Sequence, residues 1–351
     1  MTNASPTRGE IATETERPNR DRPPRVLITG AAGNLGSLLA RHLLAQDVRL
    51  RLMVHRSPLP PDLAPRASDR GATAGTDADP VEVVRADLAD PSSLAAAVRD
   101  VDVVVHFAGV LFAPRPERFL PTTNTAWFSN LLDAALVAGV SRVVLISFPH
   151  VEGPTTPDQP ATGRLDGAPI SAHARTRLQE ERLLLGRTEG TATEPVVLRL
   201  GMVYGRGILM VDGARWLAKR RLLGVWRDPT WIHLISIADY LTATAAAVTL
   251  PGIRGIYHVG DEQPLTLQAF LDQACAVWGV RRAWRMPVRL IRLAAALTEV
   301  GASLLRTRSP LTRDFIEIGR VSYVGDTTRA RAELIPELRY PTFEQGKGTL
   351  A

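Results

Sequence analysis

Within Ser171-Ala172-His173-Ala174-Arg175-Thr176-Arg177-Leu178-Gln179-Glu180, an imidazole and a guanidinium stand four residues apart in a stretch of helical character. Positions i and i+4 share one helix face, so His173 and Arg177 can address the same reaction volume. An imidazole titrates near neutral pH, at about 6.5, and exchanges protons there without assistance. Arg177 stays charged and only donates hydrogen bonds, so it can bind a hydroxyl but cannot serve as a base. Its charge also disfavours a second positive charge on His173. Proton transfer needs hydrogen-bond reach first and matched acidity second. His150, in Phe148-Pro149-His150-Val151, is a reserve candidate for the same step, although a structural loop histidine is the plainer reading.

A second cluster suits phosphate. Thr29-Gly30-Ala31-Ala32-Gly33-Asn34-Leu35-Gly36 follows an apolar run and opens a helical pattern. Gly30 permits a tight turn, Gly33 lets a pyrophosphate approach the backbone, and Gly36 allows close helix–strand packing. The N-terminus of the following helix, with Asn34 and Leu35 in its first turn, then faces the phosphates.

These groups need a scaffold. Apolar runs at 25–29, 48–54, 81–85, 101–107, 142–147 and 195–200 read as strands. Helical patterns at 35–45, 92–98, 124–137 and 170–185 separate them, and Asp90-Pro91-Ser92 is a helix start signal. Such alternation argues for βαβ units and an α/β, doubly wound parallel sheet. Two Pro-, Gly- and Asp-rich stretches, 58–80 and 149–169, interrupt the rhythm as long loops. Past Gly205 the alternation breaks, where a second lobe is expected.

The chain has 351 residues, 45% of them hydrophobic and 22% charged, which suits a large α/β domain with an appended lobe. Net charge is +6, yet only Lys219 and Lys347 are lysines, and the arginines are spread without a nucleic-acid motif. Nucleic acid is therefore not an expected partner. The single Cys275 excludes an internal disulfide and a Cys-rich metal site, and its apolar neighbours place it in a core. Residues 1–22 are polar and lack an apolar signal segment, so a disordered tail and a cytoplasmic location are expected.

Several further segments resemble, in order, the extended or atypical short-chain dehydrogenase/reductase superfamily: the NAD-dependent epimerase/dehydratase and 3β-hydroxysteroid dehydrogenase-like proteins. The resemblance spans about residues 25–346 and implies a Rossmann-type fold with a smaller C-terminal substrate lobe. It assigns Asp87 and Leu88 to the adenine. Phe107, Ala108 and Gly109, after Val105-His106, go to the cofactor side of strand four, with Asn124 beside them. Ser147, ending Val143-Val144-Leu145-Ile146-Ser147, takes the place of the serine that orients the substrate oxygen. Gly201 and Val203, in Leu198-Arg199-Leu200-Gly201-Met202-Val203-Tyr204-Gly205, fall by the nicotinamide. That family carries Tyr-x-x-x-Lys where His173 and Arg177 stand, which leaves the proton step in question. By the resemblance, Arg177 inherits the ribose contact.

Cofactor choice follows from strand two. It ends Met53-Val54-His55-Arg56-Ser57 with no acid for the ribose hydroxyls, and a guanidinium suits a 2′-phosphate. NADP(H) is therefore preferred, with NAD(H) as the alternative. Three readings of the site stay open: a carbonyl/alcohol oxidoreductase using Ser147, His173 and Arg177; a lyase, isomerase or cyclase of altered chemistry; and a nucleotide-binding sensor without turnover.

The expected division is a cofactor domain over 23–204 plus about 229–250, and a substrate lobe over 205–228 and 251–346. In Trp231-Ile232-His233-Leu234-Ile235-Ser236-Ile237-Ala238, two acids of the resembled family are absent and Asp239 follows, so the lobe junction is expected to differ. Residues 281–313 hold eight Arg and one acid, Glu299. A substrate-covering helix is the favoured reading there, and peripheral contact with an anionic membrane is the alternative. The expected partner is a small, bulky hydrophobic substrate, with a homodimer left open.

Overall fold

The structure is a computed structural model that describes residues 22–64, 81–109, 115–304 and 312–351. All of the expected tail but Arg22, most of the 58–80 insertion and part of 281–313 lie outside the described residues. The first half runs β1 (Arg25–Thr29), α1 (Asn34–Leu43), β2 (Arg49–Val54), β3 (Val81–Arg85), α2 (Pro91–Ala97), β4 (Val103–His106), α3 (Trp127–Val137), β5 (Arg142–Ser147), α4 (Ala172–Thr188) and β6 (Glu194–Leu200). The second half adds β7 (Met202–Tyr204), α5 (Leu209–Lys219), β8 (Gly224–Trp226), β9 (Trp231–Ile232), β10 (Leu234–Ser236), α6 (Ile237–Thr249), β11 (Gly255–Val259), β12 (Leu265–Thr266) and α7 (Leu267–Val277). It closes with β13 (Trp284–Met286), α8 (Val288–Leu304), α9 (Arg313–Arg320), α10 (Thr328–Glu333) and α11 (Phe343–Gly346).

Seven strands form one parallel sheet in the order β11-β6-β5-β4-β1-β2-β3. Alternation along each strand sorts side chains onto two faces. Val26 and Ile28 of β1, Val103 and Val105 of β4 and Val144 of β5 enter one core with Leu39 of α1 and Ala243 of α6. Their neighbours Leu27, Val104, Val143 and Leu145 enter the other, with Leu94 of α2, Phe128 of α3 and Leu184 of α4. Helices thus cover both faces, which explains why the central strands read as unbroken apolar runs. The strand order reverses between β1 and β4, where a doubly wound sheet opens its crevice.

The expected domain division needs one correction. Gly255–Val259, assigned from the sequence to the second lobe, is the seventh strand of the main sheet, paired in parallel with β6. Its short run gives no period that separates the two placements. The lobe junction is built on Ser236 and Asp239. Ser236 caps α6 through the Asp239 N–H, and the buried Asp239 carboxylate accepts the N–H groups of Arg339 and Tyr340, tying the C-terminal segment down. The buried Cys275 packs in the core, as expected.

Candidate active site

Gly30 takes a left-handed φ of 71°, and a Cβ there would lie 3.0 Å from the Ala108 nitrogen at the end of β4. Gly36 faces the same turn, where a Cβ would sit 2.5 Å from the Gly30 carbonyl oxygen. The Gly33 N–H closes the turn on that carbonyl at 2.8 Å, and Gly33 is the N-cap residue of α1. A side chain at Gly30 or Gly36 would push α1 off the sheet. The result is a bare backbone cradle at a helix N-terminus, a shape suited to a pyrophosphate. The Asn34 side chain faces elsewhere: its amide donates to the Gly207 carbonyl at 2.7 Å and accepts the Leu209 N–H at 3.1 Å. Only its backbone remains for a phosphate, and the side chain instead ties the start of α5 to the turn. The Leu35 carbonyl accepts from the Tyr240 hydroxyl.

At the ends of β2 and β3, His55 Nε2 meets Asp87 at 3.2 Å. Asp87 also accepts the Ala89 N–H, and the Leu88 carbonyl accepts from Asn130. Arg56 is exposed, and Arg85 donates to the His55 carbonyl at 3.0 Å, so two guanidinium groups flank the strand end.

Across the switch point, His106 bonds Thr29 Oγ1 at 2.8 Å. Burial, with the charge of Arg177 added, pushes the His106 imidazole down to about 3, so it stays neutral. Phe107 and Ala108 are half-buried beside it, and Gly109 is exposed. Asn124 is buried in the π-helical turn Pro121–Ala126 before α3. A Cβ on Gly109 would lie 3.4 Å from Arg177 Nη2 and 4.0 Å from Asn124 Oδ1, so these three converge. Arg177 pairs with the buried Glu180 at 2.5 Å. Its Nη1 makes that pair, while its Nε finds no hydrogen-bond acceptor among the described residues. A buried guanidinium with unused donors beside a glycine fits a ribose hydroxyl. Burial pushes the Glu180 carboxyl up to about 7, against the pull of Arg177.

His173 lies in the first turn of α4, which Ser171 caps through the Ala174 N–H. Its Nδ1 meets Asp314 of α9 at 2.5 Å, and both side chains are largely buried. Asp314 occupies the first turn of α9, after the N-cap Thr312, where the helix dipole favours an anion. Sequence reasoning missed Asp314, because 141 positions separate the partners and no motif links them.

Ser147 sits at the end of β5 with protein partners of its own. It pairs in register with Arg199 of β6, and Arg199 with His258 of β11, so the three share one sheet face. The Ser147 hydroxyl donates to Glu181 of α4. Arg199, fully buried, binds Glu181 through Nη2 at 2.6 Å and also pairs with Glu152. A serine has one proton to donate, and in this structure it points at Glu181. An arginine inside the apolar run 195–200 was the available signal, because a buried guanidinium demands carboxylates. His150, the reserve candidate, is buried. It lies 3.9 Å from the Tyr323 ring, and burial pushes it down to about 3.

Gly201 and Val203 also meet protein. The Gly201 N–H donates to the Val259 carbonyl, and a Cβ would lie 2.7 Å from the His233 carbonyl oxygen. Val203 is buried in β7, paired with Ile235 of β10.

Curated relatives include the 2-alkyl-3-oxoalkanoate reductase of Stenotrophomonas maltophilia, 27% identical over 84% of this chain and 88% of that protein. The ceramide reductase of Caulobacter vibrioides is 27% identical over 81% of this chain and 80% of its own length. Among solved structures, the UDP-glucose 4-epimerase of Thermus thermophilus, in complex with NAD, superposes with a TM-score of 0.68 at 21% identity. That likeness covers 93% of this chain and 97% of the epimerase, and it shows the shared fold. The profile of the NAD dependent epimerase/dehydratase family matches residues 26–225, more than half of the chain. With the parallel sheet, the glycine cradle and the switch-point crevice in place, the chain belongs to the NAD dependent epimerase/dehydratase family.

Proposed function

We propose that the protein is a carbonyl reductase, or in reverse an alcohol dehydrogenase, that prefers NADP(H) and takes an apolar, long-chain keto substrate. The observation that carries this reading is the His173–Asp314 pair. A carboxylate on Nδ1 orients the ring and favours a proton on that nitrogen, the arrangement in which a histidine serves as a general acid/base. A bound nicotinamide supplies or accepts the hydride. Reduction then requires a proton at the carbonyl oxygen, given by His173 and restored from solvent, and oxidation runs the same transfers backwards. As the imidazole gains or loses that proton, Asp314 balances its charge. Arg177 binds a ribose hydroxyl, and its contact with Glu180 holds the guanidinium in position. Ser147 fixes Glu181 and the base of α4.

Two features support the substrate class. Both curated relatives above are named as reductases of alkyl-chain compounds. Exposed Leu209 and Met210 open α5 directly beside the cofactor turn, held there by Asn34. The preference for NADP(H) rests on Arg56 and Arg85 at the end of β2, whose own closing residues include no acid, with NAD(H) as the alternative.

The decisive assay is consumption of NADPH with a panel of β-keto and long-chain ketones. His173→Phe abolishes turnover on this reading and leaves cofactor binding intact; unchanged turnover would sink it. NADPH should bind more tightly than NADH, and Arg56→Ala should remove that difference. Tighter NADH binding by the wild type defeats the preference.

A further inference from the structure

Helix α8 carries two apolar faces. Ile291, Ala295 and Ala302 are buried and pack the helix against β8 and α9. On the opposite side, Leu290, Leu293, Ala294, Leu297 and Val300 are exposed. Their spacing of three and four residues keeps them in one stripe. Leu293 and Leu297 are 57% and 65% accessible, values that a core-facing helix does not show on its apolar positions. The β13 strand that leads into α8 carries a further exposed aromatic. The Trp284 N–H donates to the Leu223 carbonyl, which sets the exposed Trp284 beside the exposed Leu222.

The charge around this patch has one sign. Between 281 and 320 the acids of the described residues are all paired: Glu299 with Arg313, Glu317 with Arg292, and Asp314 with His173. Arg281, Arg282 and Arg289 are exposed, and none of them enters an ion pair among the described residues. Arg220 lies over exposed Trp216, 4.0 Å from its ring centroid. A cationic rim around an apolar stripe complements an anionic lipid surface, into which leucines insert while arginines meet headgroup phosphates. A second copy of the chain fits less well, because a two-fold contact would press two cationic rims together. No helix among the described residues is long and apolar enough to cross a membrane, so the geometry is that of a helix lying in the interface.

We infer that the exposed stripe of α8, with Trp284 and the arginine rim, docks the protein on anionic membranes. Because α9 follows α8 and presses Asp314 onto His173, docking sets the cover of the reaction site at the lipid surface. The docking itself goes beyond the reductase reading and does not depend on it; the role of α9 as a cover rests on that reading.

The test is flotation of the full-length protein with vesicles of phosphatidylcholine alone and of phosphatidylcholine mixed with phosphatidylglycerol. The wild type should float with the mixed vesicles, at least about tenfold better than with phosphatidylcholine, and salt should release it. Trp fluorescence should shift to the blue on binding, a change that Trp284→Phe reduces. The double variant Leu293→Glu/Leu297→Glu should lose flotation at unchanged Tm. Arg281→Gln/Arg282→Gln/Arg289→Gln, which leaves the apolar stripe intact, should lose the preference for phosphatidylglycerol. The inference is overturned if the wild type stays unbound with mixed vesicles, or if both variants float like it. It is also overturned if light scattering gives a wild-type dimer that the leucine variant converts to monomer, because the stripe would then join two copies.

Discussion

Asp314→Asn keeps the shape of the side chain and removes its charge. In the structure the carboxylate lies 2.5 Å from His173 Nδ1, at the start of a helix that stabilises its negative charge. A hydrogen bond to a charged partner contributes about 1.5–3 kcal/mol. If that energy appears as the imidazole takes up or releases the substrate proton, kcat falls about 10- to 150-fold. Asp314 is a positioning residue on this reading, so the loss should fall on kcat while KM for ketone and Kd for NADPH stay within about twofold. Helix α9 keeps its Thr312 cap and the Arg292–Glu317 pair, so the variant should remain folded. Stopped-flow single turnovers of NADPH oxidation, with a thermal melt on the same sample, measure both quantities. A folded variant with wild-type kcat, set against an inactive His173→Phe, would refute the coupling of this pair to the proton step.

Three other outcomes follow from the geometry. Gly36→Ala places a methyl group 2.5 Å from the Gly30 carbonyl oxygen, so it should cost roughly 1–3 kcal/mol of stability and weaken NADPH binding at least about tenfold by calorimetry. Glu181→Gln leaves the fully buried Arg199 undercompensated and should lower unfolding free energy by about 3–5 kcal/mol in urea titration. Burial pushes the Asp261 carboxyl up to about 8, so the folded state holds a proton there that the unfolded chain releases near pH 4. Stability from this group therefore falls as pH rises from about 4 to 8, by about 1.4 kcal/mol per unit. Asp261→Asn should flatten that slope in denaturant melts at several pH values; an unchanged slope would exclude this carboxyl as its source.

Much of the scaffold was legible. The glycine turn, the β1-to-β6 alternation and the helical register of His173 with Arg177 depend on periods of two and 3.6 and on backbone sterics, which are local. The polar groups were legible only in part. Arg199 inside an apolar strand and Glu180 three residues from Arg177 are signals in the sequence that went unread above. Neither pattern told which acid serves which base.

Ser147 illustrates the difference. Its sequence context matched a serine that serves the substrate, yet the pleat directs it to the α4 face, in register with Arg199 and beneath Glu181. Strand parity could have been counted, but the carboxylate waiting on that face comes from another element.

The sequence by itself determined the family, the doubly wound sheet, the cofactor cradle and the anomaly at His173, because each is written in a short contiguous run. Tertiary structure alone decided which carboxylate His173 meets, where Gly255–Val259 belongs and which face of α8 goes uncovered. Those outcomes rest on contacts between segments far apart in the chain, such as His173 with Asp314, and no local period or propensity encodes such a contact.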